Sequence, residues 1–187
     1  MKNIKLINKT LVVLKEAKVI LYPTDTVWGI GCDATQETAV NKIFKIKKRS
    51  ESKSLIVLVS NIEMLENYVI DVPVRIKKYL KSVNQPVTII YKASTKLAKN
   101  VIAKDGTVAI RIVSNGFCND LIKNFKKPIV STSANLATFP TPSSFNEIDD
   151  VIKQKVAFIV DFDKNNISSK PSKIIKFEGD KIRVLRK

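Results

Sequence analysis

The chain has 187 residues, of which 44% are hydrophobic and 27% charged, a composition typical of one globular domain with its own core. It contains 33 basic and 17 acidic residues, and the resulting formal charge of +16 indicates a polyanionic partner such as a nucleotide or nucleic acid. Histidine is absent, which excludes Ser-His-Asp and Cys-His catalysis, histidine general bases and histidine metal ligands.

Helical and strand patterns alternate along the chain. In order, the first half predicts a helix at residues 6–14, a strand at 19–22, a loop at 23–33, a helix that begins after Thr35 and ends in the basic cluster 45–49, a strand at 55–59, helices at 64–68 and 74–83 and a strand at 87–91. The second half predicts a strand at 108–113, a helix at 117–125, a strand from Ile129, a helix at 145–153 and strands at 158–160, 174–177 and 182–185.

This alternation predicts an α/β fold, and the late strands without helices between them predict a mixed parallel and antiparallel sheet. We expect a single domain over residues 1–187. Thr35 is the predicted N-cap of the second helix, and Ser144 with Glu147 has the spacing of a capping box for the helix at 145–153. Residues 163–171 are polar enough to form a mobile loop.

Lysine residues dominate the basic excess, so codon bias is an alternative explanation for the charge, which by itself identifies no partner. The two cysteines, Cys32 and Cys118, are predicted to be reduced and structural. Lysines interrupt the apolar residues of the N-terminus, so no run reaches the length of a signal peptide or membrane span. We therefore expect a cytoplasmic protein with no membrane partner.

Small polar residues follow the strand that starts at Ile129, in the order Ser131, Thr132, Ser133, Ala134, Asn135. Their hydroxyls, carboxamide and unhindered backbone offer many hydrogen-bond donors at the end of a strand, as a phosphate or carboxylate site requires. A Ser/Thr-rich turn without a ligand is the alternative.

The sequence P-T-D-T-V-W-G-I-G at residues 23–31 follows the first strand directly, at the end of a strand where α/β sheets usually bind ligands. The alternative is an Asx-type turn with Trp28 in the core. Residues 29–34 also match the loose dinucleotide pattern G-x-G-x-x-A, but Pro23 and Trp28 occupy the place of a tight phosphate turn. We interpret that match as a coincidence. The chain contains no P-loop motif.

Basic side chains occur at two informative places. Lys47, Arg49 and Lys53 lie in or beyond the turn that follows the second helix, where they either converge on a triphosphate or form a solvated helix end. Arg111 is the only charge in the strand at 108–113, so we predict that it faces a cavity and meets a carboxylate or phosphate. Thr107, Thr141 and Ser172 are weaker candidates as hydroxyl donors.

Taken in order, these motifs resemble the YrdC-like family of threonylcarbamoyl-AMP synthases over nearly the whole chain. The resemblance is carried by P-T-D-T-V-W-G at 23–29, K-K-R at 47–49, Q-P-V-T at 85–88, A-I-R at 109–111, S-T-S-A-N at 131–135 and P-S-K-I-I at 171–175. It implies a twisted α/β sheet with helices around a large basic cavity. It also implies synthesis of threonylcarbamoyl-AMP and pyrophosphate from L-threonine, bicarbonate and ATP, for t6A at position 37 of tRNAs that read ANN codons.

The resemblance also implies roles for individual residues. Arg49, Lys53, Thr107, Ser133, Asn135, Thr141 and Arg186 would bind or adjoin ATP, Thr26, Arg111, Ser131 and Ser172 would bind threonine, and Lys47 and Arg49 would be catalytic. Mg²⁺ would arrive with ATP, and no metal would be bound tightly by the protein. RNA or tRNA and a downstream threonylcarbamoyl transferase complex are further expected partners.

The chain departs from the family at several positions. Ser50 and Ser54 replace two prolines of the K-x-R segment, which would make that turn more flexible. A family histidine that contacts threonine is absent, and Leu58 is nearest to its position. Residues 137–138 change the usual S-G, and we expect no additional C-terminal domain of the kind that longer members carry.

Two other functions remain open at this stage. The charge also suits an RNA-binding or ribosome-assembly module without catalysis. The YrdC-like domains of hydrogenase-maturation proteins instead use carbamoyl phosphate, although those proteins are much longer.

Without histidine, adenylate synthesis would depend on positioning and on Lys47, Arg49 and Mg²⁺ to stabilise phosphate charge.

Overall fold

Helices and strands alternate in the computed structural model, which describes residues 2–48, 50, 55–164, 170–179 and 181–187. Its helices are α1 Lys2–Lys15, α2 Glu37–Lys47, α3 Ile62–Glu66, α4 Val74–Ser82, α5 Gly116–Phe125 and α6 Asp150–Lys155, with a 3₁₀ turn at Lys99–Val101. Its strands are β1 Ile20–Tyr22, β2 Gly29–Asp33, β3 Ile56–Val59, β4 Val87–Lys92, β5 Thr107–Ile112, β6 Ile129–Ser133, β7 Phe158–Ile159, β8 Lys173–Glu178 and β9 Lys181–Arg186. Of the helices described, none is both long and apolar enough to cross a membrane.

The nine strands of the described residues all belong to one sheet, in the order β7-β1-β2-β6-β3-β5-β4-β8-β9. The pairs β1–β7, β3–β5 and β4–β8 are parallel, and the other neighbours are antiparallel. The predicted mixed sheet is therefore confirmed. Non-consecutive strands lie side by side, so residues far apart in sequence meet on one face.

Both faces of the sheet carry helices, and each face has its own core. Because side chains alternate along a strand, Leu21 and Val57 enter a core with α2 and α4, whereas Tyr22 and Leu58 enter one with α1 and α5. Burial on both faces explains why these strands are apolar throughout rather than alternating with polar residues.

The predicted loop at 23–33 is wrong in its second half, where residues Gly29–Asp33 form β2 between β1 and β6. Strand propensities do not predict this strand, because it contains two glycines and an aspartate, which are disfavoured in strands. The structure gives a steric reason for Gly31, since a Cβ there would lie 2.6 Å from Cε1 of Tyr22 and 2.8 Å from the Val130 carbonyl oxygen. The same strand confirms that the dinucleotide-like match is not a phosphate turn.

The two predicted helix caps are also wrong. Helix α2 has Gln36 as its N-cap, while the hydroxyl of Thr35 donates to Oδ1 of Asp33 at 2.6 Å. Helix α6 starts five residues after the predicted one, with the Asp149 side chain accepting from the amide of Val151. Most of the predicted mobile loop, at 165–169, lies outside the described residues.

Cys32 and Cys118 are free and buried, as predicted for reduced structural cysteines. Burial raises the pKa of the Cys118 thiol to about 12, and it raises the pKa of the Cys32 thiol as well. Both side chains act as small apolar groups in the cores.

Replacing Gly31 with alanine should destabilise the protein by about 3 kcal/mol, because the new methyl group has no room between β1 and β6. Gly179→Ala is the control, since nothing lies within 4 Å of its Cβ position and only its φ of +60° is unfavourable, at a cost of about 1 to 2 kcal/mol. Urea unfolding measures both changes. A smaller loss for Gly31→Ala than for Gly179→Ala would contradict the steric explanation.

Candidate active site

A cavity of about 160 Å³ opens where the β1–β2 loop, the ends of β5 and β6, and the β8–β9 ribbon meet. Hydroxyl groups, backbone and two arginines dominate its walls. The lining residues are Thr24, Thr26, Val27, Gly29, Leu55, Ile56, Arg111, Ser131, Thr132, Ser133, Thr141, Pro171, Ser172, Ile174 and Arg186.

This cavity brings together most of the residues that were predicted to bind ligands. The four predicted threonine ligands, Thr26, Arg111, Ser131 and Ser172, all line it, as do Ser133, Thr141 and Arg186 from the predicted ATP site. These side chains come from segments separated by up to 160 residues, so only the sheet topology explains their proximity.

Arg111 is the most constrained charge in the cavity, with 4% of its surface exposed. Its Nη2 donates to Oδ1 of Asp25 at 2.8 Å, and its Nη1 donates to the Thr26 hydroxyl at 3.1 Å. The buried Nε has no partner among the described residues. The prediction that Arg111 faces a cavity and meets a carboxylate is thus confirmed, with Asp25 as the carboxylate.

The β1–β2 loop is held in place by its own hydroxyls. The Thr24 hydroxyl donates to the Val27 carbonyl at 2.8 Å and accepts from the Thr26 amide at 3.1 Å. Trp28 is buried, and its ring lies 5.0 Å from that of Phe145, so the alternative was right about the tryptophan, although residues of the same loop also line the cavity. The loop therefore presents Asp25 and Thr26 to Arg111 from a rigid base.

The neighbouring wall, formed by Ser133 at the end of β6, is fixed by Lys47, which is 1% exposed. Its ammonium donates to the carbonyl of Ser133 at 2.5 Å and to the carbonyl of Asn135 at 2.6 Å. The Asn135 side chain accepts from the Ser133 hydroxyl at 2.5 Å and donates to the carbonyls of Leu136 and Phe139. Lys47 and Asn135 thus lie behind the wall and shape it, while their predicted contacts with the reaction remain predictions.

On the third side, Arg186 and Ser172 join the ends of β8 and β9. Nε and Nη2 of Arg186 both donate to the Ser172 carbonyl, at 3.0 and 2.7 Å. Partial burial and the charge of Arg111 lower the pKa of Arg186. Two guanidinium groups that repel each other across a cavity favour an anionic ligand between them.

Sequence reasoning gave no individual role to two residues of this site. Thr88 is fully buried, and its hydroxyl lies 2.8 Å from that of Ser172, which it orients. Asp25 anchors Arg111. Thr88 lies in Q-P-V-T and Asp25 in P-T-D-T, two motifs that carried the family resemblance. Those motifs could therefore have identified both residues as part of the site.

Other predicted residues lie elsewhere. Thr107 is at the opposite end of β5 from Arg111, and its hydroxyl donates to Oδ1 of Asp105 at 2.6 Å. Arg49 and Lys53 lie outside the described residues, so their convergence with Lys47 stays a prediction. Leu58 pairs with Arg111 in register and is fully buried in the core.

Replacing Lys47 with methionine should cost about 3 kcal/mol of stability, because it leaves buried carbonyls without donors. Lys45→Met, in the same turn of α2 but exposed, should change stability by less than about 0.5 kcal/mol. Chemical denaturation compares the two variants. Equal stability would show that Lys47 does not hold the wall.

Comparison with known proteins places these features in a family. The model described as telomere recombination, covering Sua5, YciO and YrdC proteins, matches residues 12–187. A threonylcarbamoyl-AMP synthase of Psychromonas ingrahamii is 33% identical over 150 residues, which cover 79% of this chain and 78% of the relative.

Solved structures agree. Sua5 of P. abyssi in complex with L-threonine superposes with a TM-score of 0.86 at 26% identity, covering 96% of this chain and 53% of that protein. E. coli YciO gives 0.85 at 24% identity, covering 98% and 89%, a likeness that concerns the fold alone. With the family model matching nearly its whole length, the chain belongs to the Sua5/YciO/YrdC family.

Proposed function

We propose that this protein is an L-threonylcarbamoyladenylate synthase. The observation that carries the proposal is the single cavity that gathers Thr26, Arg111, Ser131 and Ser172 beside Ser133, Thr141 and Arg186. Relatives at 33% identity are named threonylcarbamoyl-AMP synthase, and the Sua5 neighbour was solved with L-threonine. Its product would serve t6A formation in tRNA.

Arg111 would hold the carboxylate of threonine. A guanidinium has five N–H groups, and Asp25 and Thr26 engage one on Nη2 and one on Nη1. The second N–H of each Nη remains for a carboxylate that enters the cavity. Asp25 keeps the buried guanidinium paired before the substrate arrives, which limits the cost of burying its charge.

Phosphate groups would lie toward the other walls. Thr141 offers a hydroxyl, and Arg186 offers a guanidinium whose exposed side faces the same cavity. The Ser133 hydroxyl would turn from Asn135 to donate to a phosphate. The volume of the cavity, about 160 Å³, is below the roughly 300 to 1,000 Å³ typical of ligand pockets. A nucleotide would therefore extend beyond the cavity. Arg49 and Lys53 would add charge from the segment after α2.

The proposed reaction begins when the neutral amine of threonine adds to carbon dioxide, which is in equilibrium with bicarbonate, to form a carbamate and release a proton to solvent. A carbamate oxygen then attacks the α-phosphorus of ATP and releases pyrophosphate. The side chains that line the described cavity include no carboxylate, so a Mg²⁺ ion would take its oxygen ligands mainly from the ATP phosphates and water. The protein's contribution is to align the two substrates and to stabilise phosphate charge.

The direct test is to incubate the protein with ATP, bicarbonate, L-threonine and Mg²⁺ or Mn²⁺ and to identify threonylcarbamoyl adenylate by mass. Product should disappear when threonine or bicarbonate is omitted. Carbamoyl phosphate in place of both should not support pyrophosphate release. No adenylate with either metal, together with salt-sensitive RNA binding, would favour the RNA-binding module instead.

Arg49→Ala should lower pyrophosphate release about 100-fold, the scale seen when one group that stabilises transition-state charge is lost. Arg75→Ala, on the exposed side of α4, serves as the matched control and should retain full activity. Steady-state kinetics with circular dichroism as a folding check compares them. Wild-type turnover by Arg49→Ala would remove Arg49 from the mechanism.

The compartment and the recipient follow from this chemistry. ATP, threonine and tRNA are cytoplasmic, so the cytoplasm expected from the sequence fits the proposed reaction. The adenylate would pass to a threonylcarbamoyl transferase complex that modifies tRNA.

A further inference from the structure

Tyr22, the last residue of β1, carries a buried hydroxyl that no described residue satisfies. Its side chain is fully buried, and its Oη completes no hydrogen bond within the described part of the chain. Three buried side-chain atoms of the described residues lack a partner, and two of them are Oη of Tyr22 and Nε of Arg111. Buried tyrosine hydroxyls usually find a partner, because an unpaired one costs free energy. An unpaired hydroxyl close to the candidate site therefore needs an explanation.

The sheet register places Tyr22 on the same face as one wall of the cavity. Tyr22 pairs with Gly29, and Gly31, two residues further along β2, pairs with Ser131. Paired residues, and residues two apart on one strand, point to the same face of a sheet. Tyr22 and Ser131 thus lie on one face, with a single strand between them.

The two glycines of that strand leave open the space between Tyr22 and Ser131. A Cβ at Gly31 would lie 2.6 Å from Cε1 of Tyr22, and a Cβ at Gly29 would lie 2.9 Å from Oγ of Ser131. The tyrosine ring and the serine hydroxyl therefore share the space that side chains of β2 would otherwise fill. Ser131 lines the cavity, whereas Tyr22 does not, so Tyr22 lies behind the wall.

The groups that influence the Tyr22 hydroxyl belong to the same region. Burial raises the pKa of Tyr22 well above its usual value, and the Cys118 thiol raises it further, whereas the Ser131 hydroxyl and the charge of Arg111 lower it. The net effect keeps the phenol protonated at neutral pH. A protonated phenol can donate to the oxygen of Ser131, which leaves the hydrogen of Ser131 for a ligand.

We propose that Tyr22 is a positioning residue of the threonine site and acts through Ser131. When threonine binds, the Tyr22 hydroxyl donates to Oγ of Ser131, and the Ser131 hydroxyl donates to an oxygen of the substrate. Tyr22 itself does not touch the substrate. This inference rests on the proposed function, because that function makes Ser131 a ligand of threonine.

The test begins with Tyr22→Phe, which removes the hydroxyl and keeps the ring. Threonine binding, measured by titration calorimetry, should weaken about fivefold, the scale of one hydrogen bond. ATP binding should change less than twofold. In turnover, KM for threonine should rise by the same factor as the dissociation constant, while kcat stays within about twofold of wild type. The urea midpoint should not fall, because the variant loses no hydrogen bond of the ligand-free protein.

Ser131→Ala shows whether Tyr22 acts through Ser131. The double variant should bind threonine no more weakly than Ser131→Ala alone, because the hydroxyl that Tyr22 orients is already missing. Tyr91→Phe is the matched control, since Tyr91 is also buried, at 5% exposed, but packs in the first core on the opposite face. It should leave the binding of threonine and of ATP unchanged.

Unchanged threonine binding in Tyr22→Phe would overturn the inference. Losses that add in the double variant would also overturn it, because Tyr22 would then act independently of Ser131. An equal loss of ATP binding would do the same, since it would indicate a general distortion of the cavity. Adenylate synthesis by the wild type tests the proposed function separately: a wild type that binds threonine but makes no adenylate refutes that function and leaves the Tyr22 comparison intact.

Discussion

The buried ammonium of Lys47 is the interaction on which the site depends most. It comes from the last residue of α2, yet it bonds to carbonyls at and just after the end of β6, 86 and 88 residues later. Burying a charge this deeply is costly unless polar groups compensate it, and the carbonyl dipoles beside the ammonium do so. The ammonium in turn fixes the loop after β6, so Ser133 and its neighbours form a wall rather than a mobile turn.

Arg111 follows the same logic with a different partner. Its guanidinium is almost fully buried, and Asp25 supplies the compensating charge from the β1–β2 loop. Arg186 adds a second guanidinium that is less buried and whose pKa is lowered by burial and by Arg111. The cavity therefore combines a neutralised arginine with one that is more exposed, an arrangement suited to holding a carboxylate and a phosphate at separate positions.

The sequence predicted the elements with strong periodicity well. The mixed α/β sheet, the cavity-facing Arg111 and the buried thiols are confirmed, because apolar spacing and an isolated charge are local signals. Strand β2 was missed, since Gly31 is required by contact with Tyr22 and Gly29 by contact with Ser131, both on other strands. The capping box failed for a similar reason: Phe145 packs on Trp28, and helix α6 begins instead at Asp150, with Asp149 as its N-cap. The buried bond between Thr88 and Ser172 also joins distant residues, which no local pattern shows.

The wall of the cavity formed by strand β9 is less rigid than the other walls. It is the outermost strand beyond β8, and all six of its residues are exposed, including Arg186. Edge strands open more readily than central ones, so this wall is held by less of the core than the walls formed by β5 and β6. Part of the binding free energy of a ligand that bonds to Arg186 would therefore stabilise the ordered conformation of β9. Amide hydrogen exchange in β8 and β9 would then become slower when a ligand fills the cavity. The exchange rate of β9 would therefore show whether the cavity is occupied.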